Sequence, residues 1–387
     1  MQIRTAVPIV ADRHLPASAF CAAAAAIADS GVVDDIQVWD QLTSWFPQSL
    51  WTADRTPLAA VMADCDSFPD AFVMAAYGAA AAPGTGLVLS SDSVRRGPAE
   101  LIQSLLTLAN VYEGKAIFQL GAGELKQTQP FGYKRSQGIK RLEDVYEVFH
   151  RLWQTDGPVS YDGHYAKLDT AWLGKAKNHR PQIWGMGGGP RIIDLATTHA
   201  DGFVTMAPMV WNSPEEVAEN ITSMKRTLAE KGRDPEAFGF GIWSPLLIHE
   251  DANVIDRALD NDLMRWVTAI IGRINQGDWA GVGLESPMPA DWHYAMKLLP
   301  MKIGEAEAME IVGRTTRKHS EKTWLHGTSD QVAQQLEPYV EAGVNLVCLL
   351  DILPFVLDVE DAMGAIARPI EVSGLLKQKL GADVSVA

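Results

Sequence analysis

Eight short apolar runs, with helix-like stretches between them, limit the fold more than any other feature of this chain. They are Ile3–Pro8, Asp35–Asp40, Gly86–Ser90, Ala116–Leu120, Gln182–Gly185, Gly202–Met206, Phe238–Ile248 and Leu346–Leu350. Largely apolar runs without strict alternation suit strands covered on both faces, as in a parallel sheet. Strands that alternate with helices imply such a sheet, and eight of them close a barrel. The expected fold is therefore α/β, a (β/α)8 TIM barrel with insertions, one domain over residues 1–387. Between the runs, Pro16, Pro69, Pro98 and Pro190 stand where helices open. Leu142, Val145, Val148, Phe149 and Leu152 recur at helical spacing.

Two segments fall outside the repeat. The stretch at about 156–170 carries Asp162-Gly163 at its centre and reads as a hairpin insertion. The stretch at about 252–325 contains several Trp and Met residues and is punctuated by Gly277, Gly281, Gly283, Pro287, Pro289 and Pro300. So many aromatics suit a flexible linker poorly, and it reads as a helix-and-loop insertion covering the barrel mouth.

Charge and cysteine usage exclude several classes. A net charge of −15 makes nucleic acid an unsuitable partner. Cys21, Cys65 and Cys348 are too scattered for a disulfide framework or a zinc cluster, which fits a cytoplasmic location. No metal site is expected. The uncharged run from Ala71 to Ser91 is broken by Pro83-Gly84-Thr85-Gly86, so it reads as helix, turn and strand rather than a membrane span. The N-terminal stretch lacks the pattern of a signal peptide.

Barrels of this kind carry their chemistry at the carboxyl ends of the strands. Ala116–Leu120 runs into Gly121-Ala122-Gly123, a notch without side-chain bulk, followed at once by Glu124. That places an acid beside a flat ligand, or a solvated acid after a tight turn. Asp40 ends the second run, with Trp39, Trp45 and Trp51 nearby as a pocket lining or as core. Ser90, Ser91 and Asp92 end the third and suit either a heterocycle or a helix cap. Gly187, Gly188 and Gly189 lie between a strand and Pro190-Arg191; bare amides at a helix N-terminus attract phosphate, though the glycines also suit a packing turn. Lys126 replaces the third glycine of a dinucleotide fingerprint, and this is not the first strand, so a Rossmann site is rejected. The four strand ends together point to a bound organic cofactor.

Three stretches resemble the bacterial luciferase-like flavin and deazaflavin superfamily. They are Gly114-Lys-Ala-Ile-Phe-Gln-Leu-Gly-Ala-Gly-Glu124 with Pro130-Phe-Gly132, Ile183-Trp-Gly-Met-Gly-Gly-Gly-Pro-Arg191 with Ala200-Asp-Gly-Phe203, and Gly327-Thr-Ser-Asp-Gln-Val332 with Ala342-Gly-Val344. The resemblance covers nearly the whole chain and implies a luciferase-like (β/α)8 barrel that is usually a homodimer. Asp40 followed by Trp45, and Gly121-Ala-Gly-Glu124 followed by Gln127, are similar to the coenzyme F420-dependent sugar-phosphate dehydrogenases. That branch implies a catalytic set of Glu124, Asp40 and Trp45, with Glu124 as proton donor. It also implies that Asp40, Ser90, Ser91, Asp92, Gly121, Gly123 and Gln127 hold the deazaflavin, beside a non-prolyl cis peptide at Leu89–Ser90. Gly187, Gly188 and Gly189 would hold its phosphate.

Two departures narrow the substrate. Gln41 stands where the branch has a histidine, and an amide exchanges no proton in this pH range. Met206 and Met209 stand where sugar-phosphate enzymes carry a phosphate-binding Thr and Lys. An apolar, non-phosphorylated small molecule is therefore expected. Gly283-Leu-Glu-Ser-Pro-Met-Pro-Ala-Asp-Trp292, Leu299-Pro300 and Arg95-Arg-Gly-Pro98 resemble the phthiodiolone ketoreductases of mycobacteria. The expected activity is hydride transfer between F420 and a carbonyl or activated alkene. An FMN-dependent monooxygenase and a partner subunit without activity are the rival readings. His14 is the one histidine expected near the mouth, as a reserve acid.

Overall fold

Strand-forming sequence and helix-opening prolines fall where the alternation requires them. The computed structural model describes residues 3–382. Its strands are β1 (Arg4–Pro8), β2 (Asp35–Trp39), β3 (Gly86–Asp92), β4 (Ala116–Gly121), β5 (Val159–Asp162), β6 (Lys167–Ala171), β7 (Gln182–Met186), β8 (Gly202–Met206), β9 (Gly239–Ile248), β10 (Leu325–Gly327) and β11 (Leu346–Asp351). The order β1-β2-β3-β4-β7-β8-β9-β11 is parallel throughout, and β11 pairs back on β1, so eight strands close into a barrel. The short strand β10 was not legible in the sequence; it lengthens the outer end of β9 from Leu325↔Leu246 to Gly327↔Ile248. β5 and β6 form the antiparallel hairpin.

The helices are α1 (Ala17–Ser30), α2 (Ala71–Ala79), α3 (Pro98–Val111), α4 (Leu125–Thr128), α5 (Gly138–Gln154), α6 (Pro190–His199), α7 (Pro214–Glu230), α8 (Ala252–Asp260) and α9 (Asp262–Ile271). They continue with α10 (Tyr294–Lys297), α11 (Glu305–Arg314), α12 (Arg317–Glu321), α13 (Ser329–Glu341), α14 (Val359–Gly364) and α15 (Ala367–Ala382). Among the described residues no helix is long and apolar enough to cross a membrane.

Alternation along the strands sorts two cores. Leu87, Leu89, Phe118, Leu120, Val347 and Leu349 pack between the barrel and its helices. Val88, Ile117, Trp184, Val204 and Cys348 belong to a second core, continuous with Met264, Trp266, Ile270 and Leu298 of the long insertion. Near the strands' amino ends the Trp184 ring needs the glycines around it. A Cβ on Gly202, Gly239 or Gly241 would come within 2.5, 2.2 or 3.0 Å of that ring. Arg4 pairs there with the fully buried Asp35 at 2.5 Å.

The Leu89–Ser90 peptide is trans, which corrects the expected cis bond; the cis peptide in the described chain is Ala207–Pro208. The reason lies in the ladder. β3 is paired on both sides through this point, Leu89 with Val38 and Phe118, Ser90 with Trp39 and Gln119. It runs extended to Asp92 without interruption.

Candidate active site

The notch after β4 is shaped by contact as much as by flexibility. A Cβ on Gly121 would lie 3.2 Å from Met186 Cε, and Gly123 turns with φ +79° against Val94 and Thr128. Glycine alone takes that backbone conformation freely. The turn delivers Glu124 as the N-cap of α4. Its side chain is 25% exposed, and Oε2 lies 3.0 Å from Lys126 Nζ. Lys126 is buried to 0% exposure, donates to the Thr43 carbonyl at 2.7 Å and lies 5.5 Å from the Trp45 ring centroid. Burial pulls its ammonium below the ordinary value, and the attraction of Glu124 opposes that.

The insertion supplies a third group. Tyr294, the first residue of α10, lies beside Glu124, with α10 packed on α4. Burial, followed by the charge of Glu124, holds its phenol well above 10, so it stays protonated as a donor. His293 beside it is lowered by burial and by the charge of Arg135.

Asp40 and Asp92 close a buried ionic cluster over the ends of β2 and β3. Arg95 lies 3.1 Å from Asp40 Oδ2 and pairs with Asp92 through Nε; all three side chains are nearly inaccessible. Ser91 Oγ donates to Asp40 Oδ2 at 2.7 Å. Asp92 Oδ1 accepts from the Val94 and Arg95 amides at 2.7 and 3.0 Å, which fixes the turn carrying Arg95. Ser90 is buried beside Trp39 and Gln119. Gln127 clamps the loop after β2. Its Oε1 accepts from Leu42 N at 2.7 Å and Thr43 N at 3.2 Å, and Nε2 donates to Thr43 O at 2.8 Å.

The three glycines differ in what they face. A Cβ on Gly187 or Gly188 would meet Ile192 Cδ1 at 2.7 Å or Val210 Cγ1 at 2.3 Å, whereas one on Gly189 meets nothing within 4 Å. Gly189 is the N-cap of α6, with no side chain capping it. Among the described residues no backbone acceptor takes the amides of Gly188, Gly189 or Arg191. Both readings of the motif therefore apply: two glycines pack, and the turn still leaves amides open.

The tryptophans separate. Trp39 lies 5.9 Å from Trp243, whose Nε1 donates to Gln119 Oε1 at 2.8 Å. Trp45 lies beside Lys126. Trp51 is core, packed against Phe46 and Phe355, with Nε1 donating to the Met62 carbonyl. His14 is held by Asp12 at 2.7 Å and Asp64 at 3.5 Å, apart from the Glu124 cluster. Sequence reasoning passed over Arg95, Lys126, Arg135, His293 and Tyr294 as functional groups. The spacing Asp92-x-x-Arg95 at a strand end was the one readable signal among them. A cavity of about 580 Å³ lies elsewhere, between the ends of β1 and β11, the Ala-rich face of α1 and residues 354–369. It shares no residue with the Glu124 cluster.

A closed parallel barrel with an acid, a buried ionic cluster and open amides at the carboxyl ends of its strands defines a (β/α)8 enzyme class. The chain belongs to the luciferase-like monooxygenase family, whose model matches residues 48–346. It is an oxidoreductase. A phthiodiolone/phenolphthiodiolone dimycocerosates ketoreductase of Mycobacterium sp. (strain JLS) is 29% identical over 311 residues, 78% of this chain and 80% of that protein. An F420-dependent secondary alcohol dehydrogenase, solved with an F420-acetone adduct, superposes with a TM-score of 0.70 at 18% identity, covering 96% of this chain and 99% of that one. A riboflavin lyase solved with modified FMN and riboflavin gives 0.65 at 13% identity, covering 97% and 92%.

Proposed function

We propose that this chain is an F420-dependent oxidoreductase that moves a hydride between the deazaflavin and a carbonyl, or an activated alkene, of an apolar, non-phosphorylated substrate. The observation that carries the reading is Glu124, set beside a glycine notch, paired with a buried lysine and faced by a tyrosine from another element. The residues present fit the cofactor. Gly121 and Gly123 bring bare backbone to the strand end, packed against Met186, Val94 and Thr128, and the open amides of Gly188, Gly189 and Arg191 suit a phosphate. When bound, the deazaflavin supplies or accepts the hydride.

Everything else falls to the chain's own side chains. Glu124 gives a proton to the oxygen of a carbonyl being reduced. Lys126 fixes where that carboxyl points, with Tyr294 beside it, while Arg95 and Gln127 hold the loops around it. Met186, Met206, Trp39 and Trp243 are the apolar groups among the strand-end residues. A relative named as a ketoreductase supports a ketone as the group reduced. A general acid of this kind contributes about 10²–10⁴ in rate. Glu124→Gln is expected to lower turnover by that factor and to leave F420 affinity within about threefold; wild-type turnover would remove Glu124 from the mechanism.

FMN is the second reading, favoured by the neighbour solved with modified FMN. The same notch and amides suit an isoalloxazine. Titrating the purified protein with F420 and with FMN, followed by fluorescence quenching, separates the two; tighter binding of FMN overturns the first. The reading extends to one barrel domain over residues 1–387 and to a cytoplasmic homodimer, whose mass light scattering would give.

A further inference from the structure

Arg135 opens a single tight turn, Arg135–Gln137, between α4 and α5 and is half-buried. The cations that belong to the Glu124 and Asp40 clusters are each paired. Lys126 has Glu124 at 3.0 Å, Arg95 has Asp40 at 3.1 Å and Asp92 closer still, and Arg96 has Asp70 at 2.7 Å. Among the described residues Arg135 has no ion pair, and its Nε is buried without any hydrogen-bond partner. Glu124 and Asp92 are the anions that act on it, yet burial outweighs them and pulls the guanidinium below its ordinary value. A partly dry guanidinium without a counter-ion is unfavourable. Its planar fork matches a two-oxygen anion better than any other ligand.

We infer that Arg135 is an anion subsite beside Glu124, binding a carboxylate or phosphate oxyanion carried by the molecule that occupies the barrel mouth. Of the nearby acids, Glu124 is paired with Lys126, and Asp92 shares Arg95 with Asp40. With Met206 at the end of β8, the substrate that fits is an apolar ketone or alkene bearing a carboxylate. This rests on Glu124 marking the reactive end, as proposed above. The same oxyanion could instead belong to the cofactor's tail, and the test has an arm for each source.

The first measurement uses the full-length protein without cofactor, labelled with ¹⁵N-arginine. Acetate and inorganic phosphate are each added while the arginine Nε–H resonances are followed. One resonance is expected to shift saturably and to be missing in Arg135→Gln. Arg135→Lys keeps the charge but not the fork, and should bind either anion more weakly. The second measurement compares a keto acid with its methyl ester, and F420 affinity, in the wild type and Arg135→Gln. Loss of the acid's advantage by about tenfold to a hundredfold, with F420 affinity unchanged, assigns the anion to the substrate. A similar loss of F420 affinity assigns it to the cofactor. No shifting resonance, together with unchanged acid preference and F420 affinity, overturns the inference. Because the resonance is read on protein alone, wild-type turnover in Glu124→Gln would sink the mechanism without touching this subsite.

Discussion

Arg95 shows how a single side chain organises the site, since it joins the ends of β2 and β3 through two carboxylates and the Asp40 carbonyl. Removing one partner of a buried ion pair leaves an uncompensated charge and typically costs about 3–5 kcal/mol. Arg95→Ala is expected to fall in that range by urea unfolding; a loss below about 1 kcal/mol would show the cluster to be solvated. Two other acids set the pH dependence. Burial pushes Asp351 up to about 7 and, despite Arg4, Asp35 up to about 6, both from 3.8. Each folded-state value is raised, so the native protein keeps protons that the unfolded chain releases. Stability from these groups therefore falls as pH rises from about 4 to about 7. Asp351 Oδ2 has no partner, so Asp351→Asn is expected to flatten the fall in urea midpoint between about pH 4 and about pH 7. Parallel curves for the two proteins would refute it. Glu124 and Asp40 could be picked out from their positions after apolar runs. Arg135 and Tyr294 could not, because the groups that give them meaning come from distant segments.

At the scale of elements, the turn between β7 and α6 separates two uses of glycine that the sequence leaves merged. Gly188 faces Val210 Cγ1 at 2.3 Å, and a valine side chain has little freedom to yield. Gly188→Ala is expected to cost about 1–3 kcal/mol and to weaken cofactor binding. Gly189→Ala, at φ −81° with open space around it, should stay within about 0.5 kcal/mol. Thermal unfolding of the two variants decides, and equal losses would contradict the packing argument. The helix α10 lies outside the barrel repeat, yet it brings Tyr294 beside Glu124. No periodicity in a four-residue helix announces such a role. The trans Leu89–Ser90 bond teaches the same lesson in reverse, since family likeness cannot see a ladder that pairs both neighbours in register.

For the whole molecule, closure of the barrel depends on how the ring of Trp184 is accommodated. Gly239→Ala would bring a Cβ within 2.2 Å of that ring, and the expected cost is about 1–3 kcal/mol. A neutral outcome in chemical denaturation would mean that the ring moves freely. The second core runs from this level past the strand ends into α8 and α9, so the long insertion is a continuation of the interior.

Eight apolar runs, their helical spacers and the placement of chemistry at strand ends follow from local patterning, because periodicity and turn residues act over a few positions. The eight-strand closure was legible for the same reason. Which charges meet is decided only in three dimensions. Lys126 reaches back to Glu124 and Thr43, Arg95 bridges two strands, and Arg135 is left without a counter-ion. Electrostatic partners are chosen by distance in space and by exclusion of water, and neither quantity is written in the order of the residues.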